Sequence, residues 1–331
     1  MSVCIANYNG VDLLPDCLDS IRNQVDAPSF EIIAHDDAST DESLALLERQ
    51  QDVRVIASPE NVGFCAGNNR MAAVAEGKYL LLLNNDATLW PDGLATLHAE
   101  ARADADAAIL SLPQFDFESG ELLDRGMLLD PLYNPVPNLD PRRKHVAMVM
   151  GACLWIDRDL WQRLGGFPEW MGSIGEDMYL CCVADSMGYR VSVTDRSGYR
   201  HHVGSSFGGG KVRHQRLQTT VRRRRLSERN KTCVMAACAP LPDLAIVLPV
   251  HLLALLMEGL LMSLLARRPS LFREVYWHAI SAPIACFRPI VATRRRRVRN
   301  GTWRRRYYGR FVWVPRKLAM LLRYGVPTLR P

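Results

Sequence analysis

The chain has 331 residues, 48% hydrophobic and 23% charged, enough for one large core with an appendage or for two domains, and nothing in it is low-complexity. Its net charge of +6 conceals a split. Residues 1–200 carry 15 Lys+Arg against 31 Asp+Glu, a balance of −16, whereas residues 201–331 carry 26 against 4, a balance of +22, so the two parts are expected to meet different partners.

The N-terminus enters a strand, Ser2–Ala6, without a basic or apolar leader pattern, and no secretory signal is expected. The turn Asn7-Tyr8-Asn9-Gly10 follows, then a helix with Val11, Leu14, Leu18 and Ile21 near helical spacing. Phe30–His35 reads as a strand ending at Asp36-Asp37, and Ser39-Thr40-Asp41-Glu42 offers capping residues for a helix through about Gln50. Val53–Ala57 is a third strand, residues 64–75 read as a helix, and Lys78–Leu83 as a strand apolar on both faces. Repeated β-α units of this length indicate a mostly parallel, helix-covered sheet. Gly63 and Gly67 do not make a dinucleotide fingerprint and no Walker-type Gly-Lys-Ser/Thr occurs, so ordinary NAD and ATP sites are unsupported.

The strand at 78–83 delivers Asn84-Asn85-Asp86 to the sheet rim where open α/β folds bind ligands. Oxygen ligands there suit a hard divalent ion and a phosphate-bearing substrate; a plain turn is the alternative. Residues 113–144, rich in proline, read as a long surface excursion. Val146–Ile156 is expected to be a strand, Asp157–Leu164 a short helix, residues 175–187 a helix opened by Gly175-Glu176-Asp177, and Tyr189–Thr194 a strand. A Gly/Ser loop, residues 204–210, follows His201-His202.

Beyond the loop come Arg222–Arg225, an apolar stretch 244–265, and Arg294–Arg297. The stretch is long enough to span a bilayer, but Pro249, His251 and Glu258 disfavour a clean span. Association with an anionic membrane surface is the expected mode, with the arginines on lipid headgroups. The arginine clusters flank apolar helices without an interleaved aromatic surface, so nucleic acid is not an expected partner. The nine cysteines show no C-x-x-C pair, and buried free thiols in a reducing compartment are expected.

The ordered set Ile5-Ala6-Asn7-Tyr8-Asn9-Gly10, Asp36-Asp37-Ala38-Ser39, Glu60-Asn61-Val62-Gly63 with Asn68-Asn69, Asn84-Asn85-Asp86 and Gly175-Glu176-Asp177 resembles family 2 glycosyltransferases, most of all the bacterial rhamnosyltransferase-like group. The resemblance covers residues 1 to about 210. It implies a GT-A fold over 1–210, while charge and hydropathy give 211–331 as a basic helical region expected to associate with a membrane. It also implies inverting transfer from a nucleotide-diphospho-sugar, such as dTDP-rhamnose or a UDP-sugar, to a hydroxyl of a glycan or polyprenyl-linked acceptor. The place of work is the cytoplasmic face of the cell membrane.

In that reading Asp36 reads the base, and Asn7, Asn9, Asp37, Asn61, Asn69, Asn84 and Asn85 help hold the donor nucleotide. Asp86 holds Mg²⁺ or Mn²⁺ against the diphosphate, with His201 or His202 completing the shell; His202 is assigned that role, although strand register decides between them. Asp177 is the catalytic base and Glu176 orients it or the acceptor. Lys211 or Arg213 reaches phosphate. Tyr179 and Val183 stand where the family pattern has Asp and Arg, which leaves a catalytically impaired binding protein as the alternative.

Overall fold

The computed structural model describes residues 1–104, 106–204, 211–213, 216–296 and 307–330. The chain divides into two compact units, one of residues 1–127, 137–185 and 189–202, the other of residues 128–136, 186–188 and 203–331.

In the first unit β1 (Ser2–Asn7), α1 (Leu14–Arg22), β2 (Glu31–Asp36), α2 (Ser43–Glu48), β3 (Val53–Ala57), α3 (Phe64–Val74) and β4 (Tyr79–Asn84) alternate as expected. There follow β5 (Ala87–Leu89), α4 (Gly93–Ala103), β6 (Ala107–Ser111) and the short strands β7 (Gln114–Asp116) and β8 (Leu122–Asp124), whereas β9 (Met127–Leu129) and β10 (Pro135–Pro137) lie mostly in the segment 128–136 of the second unit. The remainder is β11 (Cys153–Asp157), α5 (Arg158–Leu164), α6 (Glu176–Ser186), β12 (Arg190–Val193) and β13 (Tyr199–His201).

The main sheet runs β12-β6-β11-β4-β1-β2-β3. All neighbours pair in parallel except β11, which is antiparallel to both β4 and β6. Leu80–Leu83 of β4 are all buried, which is why this strand reads as an unbroken apolar run rather than an alternating one. Leu14, Cys17, Leu18 and Ile21 of α1 form one buried stripe and pack in the same core as Val3, Ile5 and Leu81.

Two expectations are corrected. The stretch 113–144 is not a surface excursion: it carries four short strands, and Leu129, Tyr133 and Asn138 within it are buried. The strand expected from Val146 begins only at Cys153, although Val146–Val149 are buried nonetheless; a continuous apolar run does not by itself distinguish a strand from a buried connection.

In the second unit β14 (Lys211–Arg213) and β15 (Arg216–Thr220) lead into α7 (Val221–Cys238), whose first turn is capped by the Thr220 hydroxyl accepting from the Arg223 N–H at 3.1 Å. Next come α8 (Leu241–Leu265), a π turn at Phe272–Tyr276, α9 (Trp277–Ala285), α10 (Phe287–Arg295), α11 (Arg316–Tyr324) and β16 (Thr328–Arg330). The expected helical character is present, together with a small β14-β15-β16 sheet that the residue pattern did not suggest. The loop 205–210 and Arg297 lie outside the described residues, as do the side chains of Lys211 and Arg213.

Candidate active site

Strands β1, β2 and β4 end at one rim of the sheet. Asn7 stands in register with Asp36, and Ala6 with Asn84. Open α/β sheets place ligand sites at such a rim, where carboxylates and amides follow apolar strands.

A polar network links the strand ends. Asn7 Nδ2 donates to Asp36 Oδ2 at 2.9 Å, and Asn7 Oδ1 accepts from Asn85 Nδ2 at 2.7 Å. Asp36 Oδ1 accepts from the Ser39 N–H at 3.0 Å. Asn7, Asp36 and Asn85 are all buried, so each bond replaces one to water that the site has excluded. Gly10 makes the arrangement possible: a Cβ there would sit 2.0 Å from Asn85 Nδ2. Asp37 turns the other way and receives the Val62 and Gly63 N–H groups at 2.6 and 2.9 Å, fixing the loop before α3. Asn61 Nδ2 donates to the Asp37 carbonyl at 3.2 Å.

Two predicted donor residues serve as braces. Asn9 is exposed, and its Oδ1 accepts from the Thr40 N–H at 2.7 Å, tying the β1–α1 turn to the β2–α2 turn. Asn69 Oδ1 accepts from the Phe167 N–H at 3.0 Å and its Nδ2 donates to the Phe167 carbonyl at 2.9 Å. Both ends of that amide are therefore committed to clamping a segment 98 residues away.

Asp86 is buried, and its Oδ1 lies 3.1 Å from Nε2 of His201. The ring of His202 stacks on Phe117 with centroids 3.6 Å apart, so of the two adjacent histidines it is His201 that stands beside Asp86. The reason is register: β13 pairs with β5 so that His201 stands opposite Ala87, and the adjacent residue points elsewhere. Burial and the nearby Asp86 carboxylate push the Cys17 thiol up, so that thiol stays protonated. Asn84 Oδ1 is a buried oxygen with no hydrogen-bond partner among the described residues.

The acidic pair Glu176-Asp177 opens α6, and both residues are buried. Asp177 Oδ2 accepts from the Gly151 N–H at 3.1 Å and Oδ1 from the Met178 N–H at 2.7 Å. A helix N-terminus favours the ionised carboxylate. The turn into α6 is strained: Ile174 sits at φ 67°, a region that β-branched residues avoid. Ala152 accepts from the Asn84 N–H at 3.0 Å, so the Gly151–Ala152 peptide connects the Asp177 carboxylate to the end of β4. Tyr179, in place of the family Asp, is buried and meets Trp170 edge-on at 6.2 Å; Val183 is buried as well.

Gly151 and Asp124 carry no signal in the sequence, and Gly10 and Ser39 appear there only as turn, capping and motif residues. Asp124 is buried close to His201, and burial pushes its carboxyl up to about 6. Ser39 is the third residue after the strand-ending Asp36, a spacing that suits an Asx-type turn.

The donor types at this rim fit a divalent ion only in part. Among the described residues no group of three or more His, Cys, Asp or Glu could hold a metal. Asp86 and His201 supply one oxygen and one nitrogen 3.1 Å apart, close to the ~3 Å expected between neighbouring ligands of an octahedral Mg²⁺ or Mn²⁺. Such a pair suits an ion whose remaining positions are filled by substrate oxygens and water.

A family model described as glycosyl transferase family 2 matches residues 2–165. The O-antigen biosynthesis protein RfbC of Myxococcus xanthus is 27% identical over 230 residues, covering 62% of this chain and 17% of that protein. The succinoglycan biosynthesis protein ExoO of Rhizobium meliloti is 28% identical over 212 residues, covering 60% and 59%. The chain thus spans less than two thirds of either relative. A mannosyltransferase from Pyrobaculum calidifontis, solved with GDP-Man and Mn²⁺, shares the fold with a TM-score of 0.52 and 20% identity, over 88% of this chain and 86% of that one.

Proposed function

Since the chain belongs to the family 2 glycosyltransferases, with a GT-A fold, we propose that it moves a sugar from a nucleotide-diphospho-sugar to a hydroxyl of a bacterial surface or cell-wall glycan, with inversion. The observation that carries this reading is the joining of three functional groups at one sheet rim: the Asp36–Asn7–Asn85 network, the Asp86–His201 pair and the Asp177 carboxylate.

In this reading the Asp36 carboxylate keeps acceptor capacity for the imide N–H of a uracil or thymine ring, and Asn7 and Asn85 hold it in place. Asp86 and His201 are the residues that would hold Mg²⁺ or Mn²⁺, which supplies charge neutralisation for the departing diphosphate. Asp177 takes the proton of the acceptor hydroxyl. The acceptor oxygen forms its bond to the anomeric carbon as the bond to the donor phosphate oxygen breaks, and that electron pair leaves with the nucleoside diphosphate. The two backbone N–H groups on Asp177 fix its orientation for this step. Glu176, at the same helix start, helps position the base or the acceptor.

A screen of nucleotide-diphospho-sugars by calorimetry, with and without Mn²⁺, tests the donor side. A dTDP- or UDP-sugar that binds more tightly with the ion, and less tightly to Asp36→Ala, supports the reading. Absence of binding across the panel contradicts it.

A further inference from the structure

From the second unit we infer that α8 lies in the plane of an anionic bilayer as a monotopic anchor, with one face in lipid and the other closed over buried charge. At 25 residues and about 37 Å, α8 is long enough to cross a membrane, so length alone does not decide its mode. Its inward face does. Glu258, on α8, pairs with Arg224, accepts from Lys317 Nζ at 2.6 Å and accepts from the Tyr276 hydroxyl at 3.1 Å. Glu228, beneath it on α7, receives Arg224 at 3.2 Å, Lys231 at 2.7 Å and Lys317 at 2.8 Å. His251 is 1% exposed and meets the Thr232 hydroxyl at 2.9 Å. Gly259 allows the close approach, because a Cβ there would lie 2.7 Å from the Tyr276 ring.

These contacts come from α7, the π turn and α11, so α8 is one wall of a packed unit. Crossing the bilayer as a span would either carry this ion network into hydrocarbon or strip Glu258 of its partners. The outward face is of the opposite kind: Ile246, Met257 and Leu264 are 69%, 60% and 74% exposed, and Val250, Leu253 and Leu260 are exposed between them.

Charge complementarity identifies the occupant as anionic lipid. Arg267 and Arg268 follow α8 directly and are exposed, as are Arg273, Arg288 and Arg295 in the same unit. Trp277 and Phe287 are 54% and 62% exposed beside those arginines in the sequence, the combination of aromatic and cationic side chains found at the headgroup level of a bilayer. The sequence of the whole unit is strongly basic, which disfavours covering this face with a second copy of the same basic unit.

The test uses the full chain and vesicles of phosphatidylcholine with or without phosphatidylglycerol. Flotation with the anionic vesicles is expected, weakening without phosphatidylglycerol. Leu253→Asp/Leu260→Asp/Leu264→Asp should lower partitioning about 100-fold, roughly a factor of five per leucine. These side chains are exposed, so circular dichroism and nucleotide-sugar binding should be unchanged.

Leu241→Cys and Ala266→Cys report topology independently, because all nine native cysteines are buried. An impermeant maleimide should label both ends in intact vesicles. Labelling of one end only after detergent is added means a span and overturns the inference. A stable dimer that never partitions, with α8 covered by a second copy, overturns it too. Either result can occur with donor binding intact, so this inference fails separately from the proposed activity.

Discussion

Replacing Gly10 with alanine would place a methyl group 2.0 Å from Asn85 Nδ2 and 2.5 Å from Asn7 Oδ1, within the 2.7 Å hydrogen bond that joins those two side chains. Neither partner can step aside at low cost. Asn7 is also held by Asp36, and both amides are buried. The less constrained response is rotation of Asn85, which leaves a buried amide without its partner at about 1–3 kcal/mol and adds about 1 kcal/mol for an off-rotamer side chain. Gly10→Ala should therefore cost about 2–4 kcal/mol in urea unfolding, with a matching weakening of donor binding through Asp36. Asn85→Ala removes the nearer of the two obstructions and leaves Asn7 Oδ1 at 2.5 Å, so in that background the same substitution should cost less, by about 1–3 kcal/mol. Equal costs in the two backgrounds, or a Gly10→Ala protein as stable as the parent, would refute the reasoning.

Three other outcomes are expected. Burial pushes the His251 imidazole down to about 3, so above pH 6.5 both folded and unfolded forms are neutral, and below it only the unfolded chain takes up the proton. Stability should then fall by about 1.4 kcal/mol per pH unit between 6.5 and 3, and His251→Gln, which can still donate to Thr232, should flatten that slope in urea titrations at pH 7.5 and 5.5. Ala38 sits at φ 59°, and Ala38→Gly should raise stability by about 0.5–1 kcal/mol, read as a higher urea midpoint. Asp86→Ala should lower the transfer rate more than Asn84→Ala, since Asp86 is the charged member beside His201; equal losses would remove Asp86 from its assigned role.

Much of the fold was legible because its signals are local. The Leu80–Leu83 run, the spacing of Leu14, Leu18 and Ile21, and the polar residues after each strand depend only on near neighbours. What stayed hidden depends on partners far away in sequence. The contact of Asn69 with Phe167 and the placing of His201 rather than His202 beside Asp86 both depend on segments that are remote in sequence. The antiparallel entry of β11 likewise has no signature in its own five residues. Glu258 looked like a flaw in a membrane span; its partners on α7 and α11 lie 34 and 59 residues away.

The central claim is that Asp177 removes the acceptor proton during sugar transfer. The most direct measurement is nucleoside diphosphate release from the best-binding donor, with Mn²⁺ and a polyprenyl-linked glycan acceptor, by the parent and by Asp177→Asn. Acceptor-dependent release is expected to drop on the order of 10²–10⁴-fold in the variant while donor affinity holds. Near-normal release by Asp177→Asn would contradict it.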